Sequence, residues 1–161
     1  MDPRMQGLVA QLALHSKLFL NCLDGISEEA ATVRAGGTTN SMAFLAAHLV
    51  DSRHWLARVA GLAAENPFAA RLDGARGIEE LKDCPSVEES RHAWRALAQP
   101  LEAALQALDA SALDQPSTTR FPIGDKSIVG TIAFLIHHEA YHIGQLALLR
   151  RYTGSPAMSY R

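Results

Sequence analysis

The order of apolar and polar positions along the chain predicts four long helices and little else. Over about residues 3–24, Leu8, Leu12, Leu18, Phe19, Cys22 and Leu23 recur at the spacing of one helix face, with His15 on the same stripe. Gly25 marks its end. A polar, glycine-rich connector leads to Asn40 or Ser41, either of which can cap a second helix at about 41–63. Its apolar face is Met42, Leu45, Leu49, Leu56 and Val59, widened by Phe44 and Trp55. Residues 64–85 carry prolines and glycines and predict an irregular connection with at most a short helical turn.

Ser86-Val87-Glu88-Glu89 reads as a capping box that opens a third helix, about 86–109. Pro100 lies inside it, removes one backbone donor and predicts a kink costing about 3 kcal/mol. A loop with two further prolines follows; its 118–124 stretch is the nearest approach to a strand, and Pro122 weakens it. Ser127 then caps a fourth helix, about 127–152, stopped at Gly154-Ser155-Pro156. There is no repeat and no low-complexity tract. The pattern predicts one all-α domain over 1–161, a four-helix bundle. The second-to-third and third-to-fourth connections exceed what a tight antiparallel hairpin needs, so a plain up-down order is not required.

Composition narrows the function classes. A chain of 161 residues can bury a real core, and 48% hydrophobic with 20% charged residues is an ordinary globular balance. The formal charge is −2 from 15 basic and 17 acidic groups, without a Lys/Arg run, so nucleic acid is not an expected partner. No stretch approaches the roughly 20 apolar residues that span a bilayer, so no membrane partner is expected. The first residues do not read as a signal peptide, and Cys22 and Cys84 form no C-x-x-C; reduced thiols in a cytoplasmic protein are the expectation.

The candidate chemistry lies on the fourth helix. Its apolar stripe runs Ile128, Ile132, Leu135, then Leu146 and Leu149, and between them the face is held by His138, His142 and Gln145. A buried imidazole without a partner costs about 1–3 kcal/mol. Two on consecutive turns call for a shared partner, and a divalent metal supplies one. Side chains four apart on a helix have Cβ atoms about 5–6 Å apart on one face, close enough to converge on a single ion. The alternatives are partly exposed histidines or core histidines satisfied by hydrogen bonds.

His138-Glu139-Ala140-Tyr141-His142 also matches H-E-x-x-H, the zinc-protease signature with Glu139 as general base. Such proteases draw a third ligand from after the motif, and residues 143–161 contain no Asp, Glu or His. The protease reading fails there. A third ligand must come from upstream, and His48, beside Leu45, Leu49 and Ser52 on the second helix, is the candidate. Asp51, one turn on, is either an acceptor near the site or solvated. His54 sits about 240° around the helix from His48 and is expected to be exposed. His15 is expected to pack in the core, with His92 solvated and His137 flanking the site.

The second helix with its Thr38–Leu49 lead-in and Trp55, the H-x-x-x-H-x-x-Q of His138, His142 and Gln145, and the overall length together resemble the DinB/YfiT-like family of metalloenzymes. The resemblance covers nearly the whole chain. It implies a four-helix bundle, often up-up-down-down, and frequent homodimers. It also implies a divalent metal, zinc or nickel among the candidates, held by three histidines that carry over here as His48, His138 and His142, with open positions beside them. Characterised relatives include transferases that use a low-molecular-weight thiol. The expected function is therefore metal-dependent thiol transfer to a small-molecule substrate, with Gln145, Tyr141 and Glu139 as candidate catalytic residues. A metal-dependent hydrolase at the same site and a non-catalytic metal-binding or structural bundle are the alternatives.

Overall fold

The computed structural model describes residues 1–75, 77–81, 83–119 and 121–160. Its four long helices are α1 (Pro3–Leu23), α3 (Met42–Val59), α5 (Val87–Ala107) and α7 (Ile128–Tyr152), with short helices α2 (Glu28–Thr32), α4 (Ala69–Leu72) and α6 (Ala110–Leu113) in the connections. Side-chain caps start the helices where the sequence predicts. The Phe44 amide donates to Ser41 Oγ at 3.2 Å and the Gly130 amide to Ser127 Oγ at 3.2 Å. The capping box at α5 is complete in both directions. The α2 and α6 turns interrupt stretches expected to be plain connector, and Ser27 and Asp109 cap them. Helix α5 continues through Pro100, which is solvent-exposed, so the predicted kink does not interrupt it. Of the 118–124 stretch, Arg120 lies outside the described residues and the others form no strand; a lone bridge pairs Pro116 with Ser127 at the base of the loop.

Helix packing joins α1 to α7 and α5, and α3 to α5 and α7, so α1 and α3 are diagonal, as are α5 and α7. Two apolar clusters fix the polarity. One holds Leu18–Leu23 of α1, Met42–Val50 of α3, Val87–Trp94 of α5 and Ile143–Leu149 of α7. The other holds Met5–Leu12, Leu56–Ala60, Leu97–Leu105 and Ile132–Ile136. Helices α1 and α7 therefore end at the pole where α3 and α5 begin. The order is up, down, down, up, which corrects the up-up-down-down order implied by the family resemblance. Only one connection, residues 60–86 between parallel α3 and α5, must run the length of the bundle, which the 21-residue α5 sets at about 30 Å. The long 108–127 loop returns at the same pole. Among the described residues no helix is long and apolar enough to cross a membrane.

Candidate metal centre

Helix α3 is buried on almost every side, because α2, α4, α5 and α7 all pack on it. The single-face assumption behind the placement of His54 fails for that reason. His54 is buried rather than exposed, and its Nδ1–H donates to the Val50 carbonyl at 2.9 Å. His48 lies on the side facing α7. There it meets His138 and His142, one turn apart on α7, and all three rings are half-buried. His138 Nε2 lies 3.2 Å from His48 Nε2 and 3.0 Å from His142 Nε2.

These spacings fit one shared ion. Two nitrogens each about 2.0–2.1 Å from a metal stand about 2.9 Å apart at a right angle and about 3.4 Å apart at the tetrahedral angle. Both observed separations fall between those limits. The far sides of the rings are arranged to match. His142 Nδ1 meets Gln145 Oε1 at 2.6 Å, and Gln145 Nε2 in turn donates to Tyr141 Oη at 3.2 Å. With an acceptor at Nδ1, the proton sits there and Nε2 presents its lone pair inward. Ser52 Oγ stands 3.2 Å from His138 Nδ1, within reach to accept a proton from it in the same way. Burial, then the neighbouring imidazoles, push His48 down to about 4. Burial and His142 do the same for His138, also to about 4. Burial lowers His142 too, partly offset by Gln145. Neutral rings at pH 7 offer a cation lone pairs without a proton to displace.

Glu139 is displaced from the role its motif assigns. Residues 139 and 143, not 138 and 142, form the fully buried line of α7 at this level. The Glu139 carboxylate accepts from Arg53 Nε at 2.9 Å and from Arg53 Nη2 at 2.8 Å, and both side chains are sealed from solvent. Arg53 also donates to Ser16 Oγ at 2.8 Å and stacks 3.2 Å over the Trp94 ring. Burial alone would push the Glu139 carboxyl up, but the Arg53 charge and its hydrogen bonds outweigh that and hold it below the usual carboxylate range. His15 is buried as expected and lies 3.4 Å from Glu139 Oε2, longer than a good hydrogen bond. His92 is exposed, as the sequence predicts, and His137, expected only to flank the site, is exposed as well.

Among the described residues the converging ligand atoms belong to His48, His138 and His142 alone, without Asp51, Glu139 or His15. Asp51 Oδ1 instead accepts from Asn66 Nδ2 at 2.6 Å. The space beside the histidines is a cavity of about 250 Å³ walled by Trp55, Phe121 and Phe134. A larger cavity of about 530 Å³ lies over His54 between the end of α3 and α5, and none of the three histidines lines it. Sequence reasoning missed Arg53, the role of Ser52 and the aromatic wall. Arg53 was detectable as a charge within an apolar helix that also carries His48, facing an acid on the helix of His138 and His142. Phe134 stands one turn before His138, a spacing that puts it on the same face.

The family model of the DinB superfamily matches residues 11–146, a span that contains all three histidines. No curated protein matches the chain.

Proposed function

The chain belongs to the DinB superfamily, and from that premise we propose that it is a divalent-metal-dependent enzyme that transfers a low-molecular-weight thiol to a small-molecule acceptor. The observation that carries this reading is the convergence of three Nε2 atoms with no fourth protein ligand among the described residues. A closed structural site would use a fourth ligand; an open one leaves room for a cosubstrate. His48, His138 and His142 would hold zinc or nickel, and such an ion converts a thiol brought to it into the nucleophilic thiolate.

The chain's own residues supply orientation and exclusion of water. Gln145 Oε1 and Ser52 Oγ are placed to accept the Nδ1 protons of His142 and His138, which would keep both Nε2 atoms available. Arg53 and Glu139 tie α3 to α7 directly behind the ligands, so Glu139 acts as a positioning residue. Tyr141, largely exposed, accepts from Gln145 at the rim. Cys22 is buried and its thiol is pushed up to about 11 by burial, so the nucleophile is a cosubstrate's thiol rather than this one. The same reading takes the protein as a cytoplasmic homodimer.

The test is elemental analysis of untagged protein, followed by turnover of a generic electrophile with a panel of cellular thiols. One metal per chain is expected, lost in His138→Ala while the helical circular dichroism is kept. Retained full occupancy in that variant would overturn the ligand set. Turnover that needs no added thiol would replace transfer by hydrolysis at the same site.

A further inference from the structure

The cavity beside the histidines has a chemical character that specifies what it takes. It is lined by Trp55, Phe121, Phe134 and Leu135, with Asp51 and Ser52 as polar members, and His48 and His138 form one end. The wall is graded. Phe121 and Trp55 are 5.1 Å apart and tilted by 51°, Phe121 and Phe134 are stacked at 4.2 Å and 21°, and Phe134 lies 6.4 Å from His138 at 26°. All three apolar rings are only half-buried, so each retains surface toward the cavity. Asp51 has its Oδ1 fixed by Asn66, and among the described residues it has no cationic partner.

We propose that this cavity is the acceptor subsite, and that it takes a small planar aromatic or conjugated electrophile that also bears an amine or hydroxyl at its edge. The proposal rests on the reading of the histidine site as catalytic, which it deepens by naming the substrate class. The size argument is direct. A benzene ring fits an apolar cavity of about 150 Å³. The volume of about 250 Å³ here suits one ring with a small substituent. A flat ligand continues the run of near-parallel rings, and aromatic pairs add about 0.5–1.5 kcal/mol beyond the area they bury. The single acid in the lining, Asp51, selects the polar end. A carboxylate only accepts, so its complement is a donor, and an acidic ligand meets repulsion. The positions follow from helix geometry: Asp51 and Trp55 succeed His48 by one and two turns on α3, and Phe134 precedes His138 by one turn on α7. A molecule on this wall therefore has its reacting end beside the histidines.

The experiment is an NMR titration of the protein with benzylamine, benzyl alcohol, benzoate and n-butylamine. It follows the Trp55 indole resonance and is run both metal-loaded and after chelation, with metal content measured separately. Benzylamine is expected to bind best, and benzoate and n-butylamine roughly tenfold or more weaker. Phe134→Leu should weaken both benzyl donors roughly fivefold to tenfold. Asp51→Asn should abolish the preference for amine over benzoate while leaving benzyl alcohol binding within about twofold. These orders should survive chelation, because the wall and the acid belong to the protein. Butylamine binding as tightly as benzylamine, or an amine preference unchanged in Asp51→Asn, would overturn the proposal. Absence of metal from the untreated protein would overturn the catalytic reading alone, since ring selectivity is read without the ion.

Discussion

The buried pair behind the histidines gives the sharpest test of how this bundle is held together. Arg53 is 0% exposed and Glu139 1%, and they share two hydrogen bonds at 2.9 and 2.8 Å. Glu139→Gln removes the charge while keeping the shape. Arg53 is then left with a full positive charge, no counter-ion and no route to water. Breaking such a pair from one side costs about 3–5 kcal/mol. Against a total stability of about 5–15 kcal/mol that is a large share. For a chain of this length each kcal/mol moves the melting midpoint by about 2–4 °C, so a fall of roughly 6–20 °C is expected. The Ser16 hydrogen bond and the Trp94 ring retain some hold on the guanidinium, which favours the lower part of that range. The assay is urea unfolding of the chelated protein, with an unchanged m-value showing that the unfolding reaction is the same. Arg53→Met should cost as much as Glu139→Gln. The double variant Arg53→Met with Glu139→Leu should cost much less than the sum of Arg53→Met and Glu139→Leu measured singly, because two apolar groups of similar volume replace the pair. If either single substitution costs under about 1 kcal/mol, or if the double variant costs the full sum, the pair does not tie α3 to α7 and the argument fails.

Further expectations concern the site, the first turn of α7 and acid stability. Gln145→Leu should lower metal affinity by about 10–100-fold without changing helicity, because the His142 Nδ1 proton loses its acceptor; titration calorimetry showing unchanged affinity would remove Gln145 from the site. Gly130→Ala should destabilise by about 1–3 kcal/mol, since a Cβ there would stand 2.6 Å from the Asp125 carbonyl oxygen, and Asp125 is itself fixed by two bonds from Ser127. Gly144→Ala on the same helix meets nothing within 4 Å and should stabilise by up to about 1 kcal/mol, so opposite signs in thermal melts are the result to look for. The Arg71 hydrogen bond, then the Ser86 amide, hold the Glu89 carboxyl down at about 2, below its ordinary 4.5. Its contribution is therefore complete above about pH 4.5 and is lost as the pH falls toward 2. The difference in urea midpoint between the natural protein and Glu89→Gln should shrink over that window, and a constant difference would refute the linkage.

What the sequence reveals here follows which interactions are local. Helix starts are set by one hydrogen bond over three residues, and Ser41, Ser86 and Ser127 all cap where the pattern places them. The His138–His142 pair is also local, fixed by one helical turn. His48 is ninety residues away from His138 in the chain, and its place beside the pair was legible because two candidate ligands on one helix call for a third from elsewhere. The failures share one cause. Placing His54 outside assumed that a helix has one buried face, and α3 is covered on several. On α7, Ile132, Leu135, Leu146 and Leu149 are buried where the pattern puts them, but a single stripe left out the second buried line, about 100° around, that Glu139 and Ile143 carry. Both errors come from reading one helix without its neighbours. The polarity of the bundle was hidden for the same reason, since loop length bounds which pole a chain can reach but not which it chooses. The motif itself shows the consequence. H-E-x-x-H puts an acid between two ligands, and one turn geometry permits two uses of it. Where the acid faces an open cleft it is free to act as a base. Here the second core line turns it inward onto Arg53, so the residue that the motif offers for chemistry instead fixes the distance between the two helices that carry the three histidines.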